Sequence, residues 1–177
     1  MEGNEVLREV KDEVTEVEKL RLEIHNLTEW KNVNERVTEL VIPSKCYNEG
    51  EWSVFDVSEL KCLKSIEIGD GCFKKTQELK LIGLKELESV RIGKSSFVKC
   101  PYDAEKDGID PNRHFYLKDC SKVKELKMGG KSFMDYSVCE IESVPSLEVI
   151  EMGDLKEGSA SFNHASLELK SDTHNVK

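Results

Sequence analysis

The stretch LKSIEIGDGCF, Leu63 to Phe73, returns along the chain as LESVRIGKSSF at Leu87 to Phe97 and as VKELKMGGKSF at Val123 to Phe133. VTELVIPSKCY at Val37 to Tyr47 fits the same frame, and LEVIEMG at Leu147 to Gly153 fits its first half, with the aromatic delayed to Phe162. The frame is apolar at its first, fourth, sixth and eleventh positions and polar between them, so each copy buries one edge only. The alternation Ile66/Ile68, Val90/Ile92, Leu126/Met128 and Ile150/Met152 is the period-2 signature of a short strand with one buried face. Phe73, Phe97 and Phe133 then turn inward where the chain bends away. A single copy has nothing of its own to bury against. The copies must therefore stack, and stacking predicts a solenoid with one continuous core.

A second frame, spaced i, i+2, i+5, i+8, follows each first one: Leu79, Leu81, Leu84, Leu87, and again Cys139, Ile141, Val144, Leu147. It recurs as Phe55, Val57, Leu60, Leu63 and as Phe115, Leu117, Cys120, Val123, with a degenerate copy at Leu22, Ile24, Leu27, Trp30. Every coil is thus expected to carry two short strands on opposite sides. The period from Ile66 to Val90 and from Leu126 to Ile150 is 24 residues, whereas Val90 to Leu126 spans 36, so additions fall in the connections and spare the frames.

The pattern L-x-x-L-x-L-x-x-x-x-F resembles the leucine-rich repeat core L-x-x-L-x-L-x-x-N-x-L over roughly Val37 to Gly153, with Gly71, Ser95 or Lys131 where that family carries Asn. It looks most like the divergent, Phe-containing repeats of bacterial and protist proteins. The resemblance implies a β-rich, leucine-rich-repeat-like solenoid over residues 20–177, of about five coils. A parallel β-helix is the rival fold. In place of the Asn column, Cys46, Cys72, Ser96 and Ser132 are placed to form a column of thiols and hydroxyls at the turn.

Composition narrows the function. A net charge of −9 without a basic stripe argues against nucleic acid and against an anionic membrane surface. No apolar run approaches the length of a membrane-spanning helix, and the amino terminus has neither a basic nor an apolar signal region, so the expected setting is the cytoplasm. Of six cysteines, Cys46 and Cys72 share a repeat position, Cys120 and Cys139 fall at core positions, and Cys62 and Cys100 lie elsewhere; no zinc spacing occurs and free structural thiols are expected. His25, His114, His164 and His174 belong to no recognisable nucleophilic or metal motif, so the reading is non-catalytic, without cofactor or metal. His114 with Asp110 is the one pair worth inspecting for chemistry.

Two surfaces are candidates for binding a protein partner. The outward column of the first strands, Val41, Glu67, Arg91, Lys127 and Glu151, is acidic towards its ends and basic in the middle, beside a strip of Pro43, Gly69, Gly93, Gly129 and Gly153. The bland reading of the column is a solvated ladder with a Glu67–Arg91 pair, and of the glycines a turn of unusual φ. The second surface is the long connection Val98 to His114, with Tyr102, Asp107 and Asp110; Pro101, Gly108 and Pro111 predict irregular structure there. Its Asp103, Glu105, Asp107, Gly108 opening resembles a calcium loop, but Pro111 and His114 occupy the positions where the closing ligands belong.

The ends need covers. Leu7, Val10, Val14 and Val17 lie on one face of an expected amphipathic capping helix within residues 1–19. At the other end, Gly158 to Asp172 is expected to fold over the last coil; failing that, the cover comes from weak self-association through the C-terminal edge or from further repeats in a longer chain. The Asn26-Leu27-Thr28 glycosylation triplet is discounted because Leu27 sits at an apolar frame position. Trp30 is read as a core anchor, and Trp52 as either ordinary packing or an interaction spot. The function these features predict is a protein-interaction scaffold; the alternative is a segment of a larger surface or adhesive leucine-rich repeat protein.

Overall fold

The computed structural model describes residues 20–49, 52–99, 109–153, 161–162 and 165–170. Each first frame forms a four-residue strand whose period-2 alternation puts two apolar side chains inward. These are β2 (Glu39–Ile42), β4 (Ser65–Ile68), β6 (Ser89–Ile92), β8 (Glu125–Met128) and β10 (Val149–Met152). The second frames form β3 (Val54–Asp56), β5 (Glu78–Ile82), β7 (Asp110–Lys118), β9 (Tyr136–Glu142) and β11 (Ser166–Lys170). The odd and even strands segregate into two parallel sheets, ordered β2-β4-β6-β8-β10 and β3-β5-β7-β9-β11, with β1 (Arg21–Glu23) added beside β2. The protein is therefore β-rich, and α1 (Leu27–Trp30) is the one helix among the described residues.

Because the register is repeated strand after strand, identical frame positions line up as columns. Leu40, Ile66, Val90 and Leu126 are successive partners in the first sheet, as are Phe55, Leu79, Phe115 and Cys139 in the second. All eight are buried, and side chains of both sheets join one hydrophobic core.

The aromatic column is more demanding. Tyr47, Phe73, Phe97, Phe133 and Phe162 stack face to face, with successive centroids 5.1, 4.8, 4.9 and 4.7 Å apart and interplanar angles of 10° or less. Each sits in the left-handed region, at φ between 50° and 58°. That conformation costs an L-residue roughly 1–2 kcal/mol, so it persists only where the fold over-determines it. Here the reversal turns the ring into the stack, and the burial and ring contacts offset the backbone cost. Two residues earlier Lys45, Gly71, Ser95 and Lys131 are left-handed as well, so each turn is built from two such residues with a small side chain between them.

That intervening position holds the expected thiol and hydroxyl column. Ser96 Oγ donates to Gly69 O at 2.8 Å and accepts from Cys72 N at 3.1 Å, and Cys72 Sγ donates to Pro43 O at 3.1 Å. Ser132 Oγ and, at 3.0 Å, Ser161 Oγ both donate to Gly129 O. The column thus satisfies buried backbone groups between laps of the chain, the task an Asn side chain would otherwise perform. Burial pushes the Cys72 thiol up to about 11 and that of Cys139 up to about 12. The five described cysteines are free.

Several expectations are corrected. Leu22 and Ile24 do not begin a second-frame strand: β1 pairs with β2, with Leu22 opposite Leu40, so the degenerate copy belongs to the first sheet. The glycine strip owes nothing to unusual φ at Gly69, Gly93 and Gly129. A Cβ there would lie 2.5 Å from Ser44 N, 2.4 Å from Asp70 Oδ1 and 2.5 Å from Lys94 N respectively, so the constraint is the close approach of the preceding lap. Gly153 alone, at φ 83°, matches the expected turn. Regular structure enters the Val98 to His114 connection, because β7 begins at Asp110. Pro111 is accommodated in a register shift against β9 between Asp110 and His114, where no ladder N–H is required. Residues 166–170 do not fold over the end of the stack; they extend the second sheet, paired with β9. The expected helix within residues 1–19, and Tyr102 and Asp107, lie outside the described residues.

Candidate interaction groove

The outward side chains of the first sheet form two ladders by register alone. One runs Glu23, Val41, Glu67, Arg91, Lys127, Glu151, and the other Arg21, Glu39, Ser65, Ser89, Glu125, Val149. The structure thus brings Val41, Glu67, Arg91, Lys127 and Glu151 into one column, as the repeat alignment requires. A groove of about 410 Å³ lies along it, lined by Glu67, Arg91, Lys127 and Glu151 on one side and by Gly69, Gly93, Gly129 and Gly153 on the other. The glycines leave bare backbone at its floor. Asp70 Oδ1 accepts from Lys94 N at 2.7 Å, and Ser44 Oγ accepts from Asp70 N at 3.0 Å, which ties the laps together beneath the groove.

The charges are unevenly satisfied. Arg91 Nη2 and Lys127 Nζ both reach Glu125 Oε2, each at 3.3 Å, so two cations share one carboxylate. Lys127, and after it Arg91, hold the Glu125 carboxyl below its ordinary value. The expected Glu67–Arg91 pair is not formed, because Arg91 turns diagonally to Glu125. Glu67 and Glu151 make no hydrogen bond or ion pair with another described residue.

The outward face of the second sheet shows the contrast. Lys80 pairs with Glu78 at 2.5 Å, Lys118 with Glu140 at 2.9 Å and Glu142 at 3.4 Å, and Lys170 with Glu140 at 3.0 Å and Glu168 at 2.8 Å. Each lysine there is matched by a carboxylate on its own or the adjacent strand. All three lysines of this face are thus engaged, and exposed pairs of this kind contribute little to stability.

The remaining candidates resolve into structural roles. His114 Nε2–H donates to Pro111 O at 2.8 Å, which leaves Nδ1 to accept from the Tyr116 hydroxyl at 2.9 Å. Asp110 Oδ1 accepts from Asn112 N at 2.9 Å. Each is thus engaged within β7, and the two do not form a catalytic pair. Trp52 packs among Trp30, Tyr47, Phe55 and Phe73, with centroids 5.1–6.1 Å away. Asn26 serves as the N-cap of α1, its Oδ1 accepting from Thr28 N at 3.0 Å and Glu29 N at 3.1 Å. Among the described residues no group of three or more His, Cys, Asp and Glu side chains could hold a metal ion, and no helix is long and apolar enough to cross a membrane.

One buried cluster escaped the sequence reading. Arg113, 3% exposed, pairs with Asp135, 2% exposed, and its Nη2 donates to Lys74 O at 2.7 Å and Thr76 O at 2.9 Å. Tyr136 lies under the guanidinium at 5.2 Å and donates to Thr76 O at 2.9 Å. The cluster joins the second-sheet side of three laps where β7 departs from the frame. Neither Arg113 nor Asp135 repeats elsewhere, so periodicity carries no signal for them. Comparison of the chain with protein-family models, with curated proteins and with solved structures finds no match.

Proposed function

We propose that the chain is a leucine-rich-repeat-like solenoid that acts as a non-catalytic protein-interaction scaffold, binding its partner along the outward face of the first sheet. The observation that carries this reading is the contrast between the two faces. On the second sheet each lysine is held by carboxylates of its own face, whereas on the first Glu67 and Glu151 pair with no described residue and Arg91 and Lys127 converge on one carboxylate beside the glycine strip. Rigid strands hold these groups in a fixed order, acid, base, base, acid. A polypeptide segment with the opposite order, laid across the strands, would pair with all four. The setting we propose is the cytoplasm, supported by buried thiols that remain free.

The test is a capture experiment from native cells with the intact chain and an Arg91→Glu/Lys127→Glu variant side by side. Both substituted side chains are on the surface, so the fold is retained and circular dichroism checks it. A protein held by the parent and released by the variant supports the groove. A protein held equally by both places recognition elsewhere, and shortening the 98–114 connection then becomes the next variant.

A further inference from the structure

The stack ends on strands that nothing described here covers. Leu167 and Leu169 of β11 stand opposite Cys139 and Ile141 of β9, at positions buried in every earlier lap, yet they are 53% and 60% exposed. Val149 and Ile150 of β10 are each 39% exposed. A cavity of about 540 Å³ opens there, lined by Ile141, Val144, Leu147, Ile150 and Leu169 among others. Among the described residues β10 and β11 are also the edge strands of their sheets, each paired on one side only. Neither edge strand carries an inward-facing charge or a bulge among the described residues, although β10 is short and β11 ends in Lys170.

We infer that this end docks a second copy of the chain, edge to edge, about a two-fold axis. An axis along the sheet normal sets each edge antiparallel to its mate and keeps apolar faces on the same side, so both sheets continue across the junction and the open core closes. Charge selects the register on β11, whose outward residues are Ser166, Glu168 and Lys170. With Glu168 on the axis, like charges oppose each other. With Leu169 on the axis, Glu168 of each molecule meets Lys170 of the other, twice over. Glu168 and Lys170 already pair within the strand at 2.8 Å, so association exchanges one partner for another without stranding either charge. The opposite end is more closed, although Leu20, Leu27 and Val54 there are 39%, 42% and 41% exposed. There α1 and the rings of Trp30, Trp52 and Tyr47 close the core, and Ile24 is only 1% exposed. Because a two-fold axis uses the same end of both molecules, this pairing stops at two and does not propagate into a filament. This inference is independent of what the groove binds.

Sedimentation velocity on the full chain over a wide concentration range tests it. The expected result is a reversible monomer–dimer equilibrium that Leu169→Lys abolishes. Glu168→Lys or Lys170→Glu alone sets like charges opposite one another and weakens the dimer by about tenfold, and the double charge swap restores it. All three positions are surface positions in the monomer, and circular dichroism verifies that each variant keeps its fold. A parent that stays monomeric throughout, or that grows beyond two molecules, overturns the proposal. A double swap no tighter than the single variants overturns the β11 register, and with it the proposal as stated.

Discussion

The two ends of the stack are built from the same repeat and are covered to different degrees: Leu20 and Leu27 are 39% and 42% exposed at one, Leu167 and Leu169 53% and 60% at the other. At the amino-terminal end Leu40, Val37 and Ile24 are buried, because β1 adds a lap to the first sheet and the ring of Trp30 covers Phe55 at 5.2 Å. At the carboxy-terminal end Ile150, Leu167 and Leu169 occupy equivalent inward positions and remain exposed. The apolar side chain is the same kind of residue in both places. What differs is whether a neighbour lies beyond it. A strand inside either parallel sheet has a neighbour on both sides, whereas the strand at its edge keeps only one.

The largest expected effect tests the shared spine. Phe97 is fully buried between Phe73 and Phe133, so Phe97→Ala should cost about 3–5 kcal/mol, whereas Phe162→Ala, with a ring on one side only, should cost clearly less. Denaturant midpoints of the two variants check this, and equal losses would mean that the end lap is as well packed as the middle. The ends themselves come next. Ile24→Ala should cost about 2–4 kcal/mol and Leu169→Ala, measured on the monomer, less than about 0.5 kcal/mol. A large loss at Leu169 would show that the carboxy-terminal end is covered after all.

A third effect depends on pH. Cys72 and Cys139 have folded-state values raised by burial to about 11 and about 12, against an ordinary 9.0. A raised value means that the native state holds its proton more tightly, so this stability is complete below pH 9 and is lost as pH climbs towards 11 and 12. The denaturation midpoint should therefore fall as pH rises from 9.0 to about 11, and a flat profile would place these thiols in contact with water. The smallest effect is on the groove: Glu125→Gln removes an exposed carboxylate and should change stability by less than about 0.5 kcal/mol while altering partner capture.

Much of this architecture was legible in one dimension. The period-2 pairs Ile66/Ile68 and Leu79/Leu81 named their own sheets, and the constant frame aligned Glu67, Arg91, Lys127 and Glu151 before any coordinates were needed. Phe162, displaced by several residues in the last lap, still took its place on Phe133. Leu22 and Ile24 were misassigned because a degenerate copy satisfies either frame, and only hydrogen bonding to β2 decides between them. Arg113 and Asp135 were invisible because a pair that occurs once has no period.

What the sequence by itself determined is the set of columns: which residues face the core, which face outward, and that neighbouring laps must supply one another's burial. These follow from local alternation and from the identity of successive frames. The tertiary structure alone decided the partners. It turned Arg91 to Glu125 in preference to Glu67, set the glycines against the preceding lap's backbone, buried Arg113 with Asp135, and left Leu167 and Leu169 uncovered. The physical reason is that burial and pairing belong to the space between laps. A repeat specifies its own faces, but what meets each face depends on the neighbour that stacks upon it.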